Sequence, residues 1–176
     1  MTSHVLASPL MDALVRNDYQ QKFIAGESKT PQATFSDHVT GKKAVTIQKA
    51  EQYASSINDS KFSLEMAYIF FGAISAMTGD KYQNNPLALD ILQQKESNER
   101  KAKKDRALEV LTLNDGTLSR EDKDIILDYS MEFLDEIMVE TTMLVSLLDL
   151  CDATINRAVE KRMPYWIQRG YMRKDK

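Results

Sequence analysis

Histidine and cysteine are scarce in this chain, and their scarcity excludes several chemistries. Among 176 residues there are two histidines, His4 and His38, and one cysteine, Cys151. A single cysteine cannot form an intrachain disulfide, and zinc sites draw their ligands from clusters of cysteine and histidine. No Glu-x-x-His pair of the di-iron bundle type is present. The sequence therefore predicts no metal and no cofactor.

Loops that bind phosphate or calcium are missing as well. Residues 41–43 (Gly-Lys-Lys) lack the upstream glycine of a P-loop. Residues 114–116 (Asn-Asp-Gly) would place Leu111 and Leu113 at the first and third ligand positions of a calcium loop, so we interpret them as a turn. Nucleophilic catalysis would need a base near Cys151, and both histidines are far away in the sequence. These absences favour a protein that is not an enzyme.

Long hydrophobic runs are also absent. The longest apolar stretch, residues 66–74, has nine residues, whereas a membrane-spanning helix needs about 20. The N-terminus lacks the basic start and apolar run of a cleaved signal peptide. We therefore expect a soluble protein, either cytoplasmic or exported without a cleaved signal; the sequence leaves the compartment open.

The composition is that of a soluble globular protein. Hydrophobic residues make up 43% of the chain and charged residues 28%, and a chain of this length is about the size of one domain. The net charge of −3 argues against general nucleic-acid binding by the whole surface. The charge is uneven, because the part from Arg157 onward carries +5 and the rest carries −8.

A long amphipathic helix is predicted over residues 119–163. Its apolar side chains repeat every seven residues, the spacing that lets one helix pack along another. The two positions of the repeat hold Leu127, Leu134, Thr141, Leu148 and Ile155, and Ile137, Leu144, Cys151 and Ala158. Ser119 is expected to cap the start of this helix, with Asp122 three residues on. Pro164 is expected to end it, because proline cannot continue the hydrogen-bond ladder.

The predicted fold class is all-α with about five helices. The other four are expected between Ser8 and Gly26 and over residues 43–57, 61–77 and 86–113, with a linker at residues 27–43. The short turn at 114–116 favours antiparallel neighbours. Helix 86–113 and the long helix should therefore form a coiled-coil-like hairpin, packed on the apolar helix 61–77, with the basic middle of helix 86–113 near the acids of its partner.

Three segments are predicted from these elements. Residues 1–60 are expected to form a looser N-terminal segment of helix and linker. Residues 61–163 should form the helical bundle core, and residues 164–176 a basic, aromatic C-terminal tail.

Three sets of side chains are candidate contact surfaces. The aromatic residues of the apolar stretch belong either to the core or to an interface. Three glutamates spaced four apart could perform acid–base chemistry, but without a histidine partner we interpret them as a solvated acidic face or as the contact site of a basic partner. The C-terminus either caps the bundle or docks on an acidic protein, a nucleic acid or an anionic lipid surface. The candidate residues are Tyr68, Phe70, Phe71, Glu132, Glu136, Glu140, Tyr165, Trp166, Arg169 and Arg173.

The order of a polar N-terminus, a short apolar helix and a long two-helix hairpin resembles that of filament and tip subunits secreted by bacterial injection systems. The resemblance covers topology alone, and the segment from Pro164 onward departs from it. We interpret the chain as a non-enzymatic helical module for protein–protein interaction, such as an adaptor, a chaperone or a subunit that self-assembles. An acidic regulator that binds a basic partner, such as a nucleic-acid enzyme, is the alternative, and an enzyme with a pocket between helices is a remote one.

Overall fold

The computed structural model describes residues 2–79, 81–82, 85–113 and 116–174. In this part of the chain the regular structure is eight helices and one antiparallel pair of two-residue strands, so the predicted all-α class is confirmed and the helices outnumber the expected five. The elements are β1 (Ser3–His4), α1 (Ala7–Arg16), α2 (Gln21–Glu27), α3 (Gln32–Val39), β2 (Val45–Thr46), α4 (Ile47–Ile57), α5 (Ser60–Phe71), α6 (Pro86–Leu113), α7 (Arg120–Asp149) and α8 (Ile155–Gln168). None of the described helices is long and apolar enough to cross a membrane.

The chain divides into two compact units. Unit 1 comprises Met1–Ser75 and Leu148–Lys176, and unit 2 comprises Ala76–Leu147. The predicted packing of the hairpin on helix 61–77 would join the two units, and it stays a prediction.

The main hydrophobic cluster of unit 1 is built by its first five helices. Helices α1, α3, α4 and α5 contribute apolar side chains three or four residues apart, which share one face of a helix, and α2 contributes the adjacent Ile24 and Ala25. Fully buried members of the cluster include Leu6, Leu10, Ile24, Phe35, Val45, Tyr53, Ile57 and Phe62. The rings of Phe35 and Tyr53 meet edge to face, with centroids 5.0 Å apart. Such a cluster holds several short helices that would be unstable alone.

The linker expected at residues 27–43 is wrong, because this stretch contains α3. Phe35 and Val39 are one helical turn apart, and both are buried in the cluster of unit 1. Pro31 immediately precedes the helix. The stretch was predicted as a linker because it is rich in serine, threonine and glycine. The short helix has a single apolar turn and is stabilised by tertiary packing.

The single helix expected between Ser8 and Gly26 is two helices, α1 and α2. Asp18 adopts a left-handed backbone with φ of 52° and so interrupts the first helix. The end of α1 is tied to the start of α5: Arg16 donates two hydrogen bonds of 2.9 and 2.7 Å to the Asp59 carboxylate, and Asn17 donates a third. Asp59 also caps α5 by accepting from the Phe62 backbone N–H.

The long helix expected over residues 119–163 is also two helices. Its start is confirmed, because Ser119 Oγ accepts from the Asp122 N–H and the Asp122 carboxylate accepts from the Ser119 N–H. It ends early, where Asp152 turns into the left-handed region with φ of 51° and the Leu148 carbonyl accepts from the N–H groups of Cys151 and Ala153.

Pro164 does not end a helix as expected, because it lies inside α8. The turns on either side of a proline can keep their own hydrogen bonds, at the loss of one bond and some strain. Helix α8 is joined to the start of α5 by a hydrogen bond of 3.0 Å from the Ile155 N–H to Ser60 Oγ.

Candidate functional site

Helices α6 and α7 of unit 2 are joined by charged and polar side chains. Gln93 donates to Glu140, Arg100 donates to Glu136, and Lys103 donates to Glu132. As the residue number on α6 increases from 93 to 103, the number of the bonded glutamate on α7 decreases from 140 to 132. The two helices therefore run antiparallel. This agrees with the predicted approach of the basic middle of α6 to the acids of α7. Residues 114 and 115 of the turn predicted at 114–116 lie outside the described residues.

Arg100 lies at the centre of this contact between the helices. Besides bonding Glu136, it donates to the Tyr129 hydroxyl over 3.3 Å, and its guanidinium lies 4.9 Å from the centroid of the Phe133 ring. Burial alone would raise the pKa of Glu136, but the hydrogen bonds from Arg100 and Ser97 outweigh burial and lower the pKa below its usual value. Glu136 is therefore held as a carboxylate paired within the chain.

The three glutamates do not form the exposed acidic face that the sequence suggested. Glu136 is only 5% exposed, and Lys103 bonds both Glu132 and Asp128. The hydrogen bonds that Lys103 donates to Asp128 and Glu132 raise the pKa of Lys103. Glu140 remains exposed. Their role in binding a partner stays a prediction, but two of the three carboxylates already have a basic partner on α6.

An apolar row lies on the opposite side of α7 from these glutamates. Leu127 precedes Glu136 by nine residues, which is about two and a half helical turns, so the two side chains point in opposite directions. We call the row formed by Leu127, Met131, Leu134 and Met138 the outer stripe; its side chains are 56%, 44%, 42% and 36% exposed. The buried side chains of α7 are Glu136, Val139, Thr142 and Val145. Val145 follows Met138 by seven residues and continues the same row, so the row is exposed along residues 127–138 and buried at Val145.

This arrangement corrects the expected core positions of the heptad repeat. Leu127, Leu134 and Leu144 were expected to be buried, and all three are exposed. Cys151, also assigned to the repeat, is exposed and lies beyond the end of α7. The heptad pattern correctly identified an apolar face, but this face is exposed along residues 127–138, and charged side chains join α7 to α6 on the other side.

Acidic side chains flank the outer stripe on one side. Asp128 and Asp135 each follow a leucine of the stripe by one residue, which displaces them by about 100° around the helix, and Asp124 lies on the same flank. All three are exposed. Asp128 bonds Lys103, whereas no ion pair among the described residues involves Asp124 or Asp135. The candidate residues predicted from the sequence did not include Met131, Met138 or these aspartates; their spacing relative to the glutamate row was the available indication.

The aromatic candidates of unit 1 differ from one another in exposure. Tyr68 is 60% exposed and Phe71 is 73% exposed at the end of α5. Phe70 instead packs against the hydrophobic cluster, and its ring meets that of His4 edge to face at 5.0 Å. The apolar stretch thus contributes both to the core and to the surface, as its two interpretations allowed.

The C-terminal candidates lie on α8 and just after it. Trp166 is half-buried, and Tyr165 is exposed beneath the Arg162 guanidinium, which lies 3.9 Å from its ring centroid. Arg169 and Arg173 are exposed. Among the described residues, no ion pair involves any base from residue 155 onward, whereas four of the six bases of α6 are paired.

Two further features have residues that could bind a polar ligand or a cation. A groove of about 430 Å³ in unit 1 is lined by Glu27, Ser28, Lys29, Gln48, Glu51, Gln52, Ser55 and Ser56. None of these is a histidine or cysteine. In unit 2, carboxylate oxygens of Glu96, Glu99 and Glu132 lie within 4.8 Å of one another. Lys95 bonds the first two and Lys103 bonds the third, so lysines already compensate their charge.

No protein-family model, no curated protein sequence and no solved structure matches this chain. The outer stripe and its charged surroundings are therefore interpreted from their own geometry.

Proposed function

We propose that this chain is a non-enzymatic module for protein–protein interaction that self-associates through the outer stripe of α7. One observation carries the proposal: charged side chains join the middle of α6 to α7, with Glu136 buried, while an apolar row of α7 points outward. Burying charged groups costs more than burying apolar ones. A helix that buries Glu136 and leaves two leucines and two methionines exposed in one row is best explained by a partner that covers this row.

The composition of the outer stripe suits helix recognition. Residues 127, 131, 134 and 138 follow the alternating spacing of three and four that a partner helix meets. Methionine adapts its shape to a partner because it is unbranched and polarizable. Removing the remaining exposed area of each side chain from water would stabilise a complex by about 1 kcal/mol per residue. In this proposal, the coiled-coil-like packing that the heptads predict occurs between the outer stripe and its partner, not between α6 and α7.

The alternative of an acidic regulator has less support. A basic partner would have to displace Arg100 from Glu136 and Lys103 from Glu132, and both bonds are already made within unit 2. Breaking a paired carboxylate away from its partner in a half-buried site is unfavourable. Of the three glutamates, only Glu140 is exposed.

The proposal is tested by light scattering after size exclusion across protein concentration. The wild-type chain is expected to form dimers or larger species, and Leu134→Glu to remain monomeric, because a charge at the centre of the stripe cannot be buried without a partner. Leu108→Glu is the matched control: Leu108 is 43% exposed on α6, close to the 42% of Leu134. It should associate as the wild type does.

Circular dichroism of each variant checks that its helices are intact. A wild-type chain that stays monomeric up to its solubility limit would reject the proposal. Equal association by Leu134→Glu and the wild type would reject the outer stripe as the interface.

A further inference from the structure

We propose that the outer stripe of one copy binds the basic C-terminal segment of a second copy, which we define as Tyr165, Arg169, Tyr171, Met172, Arg173 and Lys174. The inference rests on the proposed function, since it names the occupant of the same surface. It is supported by the complementary charges of the two surfaces. Aspartates without an ion pair among the described residues flank the stripe, and bases without one surround exposed apolar side chains in the segment.

Pairing of two α7 helices with each other is disfavoured by the flanking aspartates. In an antiparallel pair the same flank of each helix meets, so Asp124, Asp128 and Asp135 would face their own counterparts, which is repulsive. In a parallel pair they would face the other flank, whose members are Lys123, Ser130, Ile137 and Thr141. One base among four residues gives little compensation. The flank therefore favours a basic occupant.

Four of the six bases of α6 are already engaged, whereas Lys101 and Lys104 are exposed and make no ion pair among the described residues. Lys95 bonds Glu96 and Glu99, Arg106 bonds Glu109, and Arg100 and Lys103 bond α7. By contrast, no ion pair among the described residues involves Arg169, Arg173 or Lys174. The C-terminal segment is thus the part of the described chain where exposed bases without acidic partners are concentrated.

The C-terminal segment also offers apolar groups for the stripe. Tyr165, Tyr171 and Met172 are all exposed. The chain turns after α8 at Gly170, with φ of 75°, and the N–H groups of Tyr171 and Met172 both donate to the Trp166 carbonyl. Because these bonds fix the turn, ordering the segment on binding costs less conformational entropy than ordering a free tail.

This contact uses two different surfaces, so it is heterologous. Each copy carries one stripe and one segment, and a second copy bound to the stripe still presents its own stripe to a third. Heterologous contacts generate rings when the rotation closes and open chains when it does not. We therefore expect species beyond the dimer at high concentration, and weaker association as salt screens the aspartates and arginines.

The test is complementation between two defective variants of the full chain. Leu134→Glu lacks the stripe and keeps the segment, while the double variant Arg169→Glu with Arg173→Glu lacks the segment and keeps the stripe. Each is expected to be monomeric alone by light scattering. Their equimolar mixture is expected to form one-to-one dimers that grow no further, because only one intact pair of surfaces remains.

A third variant tests the charges directly. Asp124→Arg with Asp135→Arg should abolish association alone. When it is mixed with the Arg169→Glu, Arg173→Glu variant, the intact stripe and segment give a dimer, and species beyond the dimer are expected because the reversed stripe also binds the reversed segment. A mixture that stops at the dimer would reject the charge pairing. The milder pair Arg169→Gln with Arg173→Gln should weaken association without adding negative charge. If circular dichroism shows that the charge reversal unfolds α8, the glutamine variant is used to test the segment instead.

The outcomes separate the two proposals. If the Arg169→Glu, Arg173→Glu variant associates like the wild type, the segment is not the occupant, while the outer stripe stays the interface. If wild-type protein is monomeric, both proposals fail. If wild-type protein is monomeric but binds phosphatidylserine vesicles, and the arginine variant does not bind them, the segment binds an anionic lipid surface instead and the inference is overturned.

Discussion

His38 and Tyr53 form a hydrogen-bonded pair inside the hydrophobic cluster of unit 1. His38 Nδ1 lies 2.7 Å from Tyr53 Oη, and both side chains are buried. Burial, with the nearby Lys43 and Lys49, lowers the pKa of His38 below its ordinary value of about 6.5. Folding therefore selects the neutral imidazole at this position.

Acid should consequently destabilise unit 1 through His38. Between the lowered folded pKa and the unfolded value the unfolded chain binds more protons, so stability rises with pH in this window. The contribution of neutral His38 is fully present above a pH of about 6.5 and is lost as the pH falls through the folded pKa. Urea unfolding measured at several pH values between about 5 and 8 should show this slope.

Two variants isolate the histidine. His38→Gln should flatten the pH dependence in this window, because glutamine does not titrate. Tyr53→Phe keeps the histidine and hence the slope, but should lower the free energy of unfolding by about 1–3 kcal/mol, because a buried polar atom loses its partner. An unchanged slope in His38→Gln would refute the assignment.

At the scale of the element, local chemistry predicted where helices begin better than where they end. The Ser119 cap and the start of α6 after Asn85 are confirmed, since each needs one side chain and a backbone N–H nearby. The ends at residues 71 and 149 come earlier than expected. Such ends depend on left-handed residues and on packing, and neither Asp152 nor the exposed Leu150 is distinctive in sequence.

Gly72 ends α5 in a conformation that favours glycine. Its φ is 66°, and an added Cβ would meet no atom within 4 Å. Gly72→Ala should therefore lower the free energy of unfolding by about 1 kcal/mol through backbone strain alone. Gly26→Ala is the matched control, because Gly26 lies inside α2 with equal space and no positive φ. It should stabilise by about 0.5–1 kcal/mol.

Chemical denaturation of both glycine variants measures the difference. Equal effects of the same sign would show that the conformation of Gly72 does not determine where α5 ends.

At the scale of the whole molecule, the sequence predicted helicity and the partnership of α6 with α7 but not which faces meet. A heptad repeat identifies an apolar face, and it carries no information about whether that face is covered by the same chain or by another. Glu136 illustrates the difficulty: four-residue spacing of glutamates is typical of a solvated face, yet Arg100 pairs with it at the contact between helices.

The large fully buried side chains are concentrated in unit 1. Eight of them, Leu6, Leu10, Ile24, Phe35, Val45, Tyr53, Ile57 and Phe62, lie there, whereas unit 2 contributes Leu89, Thr142 and Val145 among the described residues. Local stability follows the number of buried apolar contacts. Unit 1 should therefore open less readily than unit 2, whereas the sequence led us to expect residues 1–60 to be the looser part.

Hydrogen exchange followed by mass spectrometry tests this ordering. Amides of α4 and α5 are expected to exchange more slowly than those of α6 and α7 in dilute protein. Raising the protein concentration should slow exchange over residues 127–138, because a partner on the outer stripe stabilises the helix beneath it by mass action, while α4 should not respond. Faster exchange over residues 1–60 than over α6 and α7 would instead support the looser N-terminal segment. A response of α4 equal to that of α7 would place the interface elsewhere.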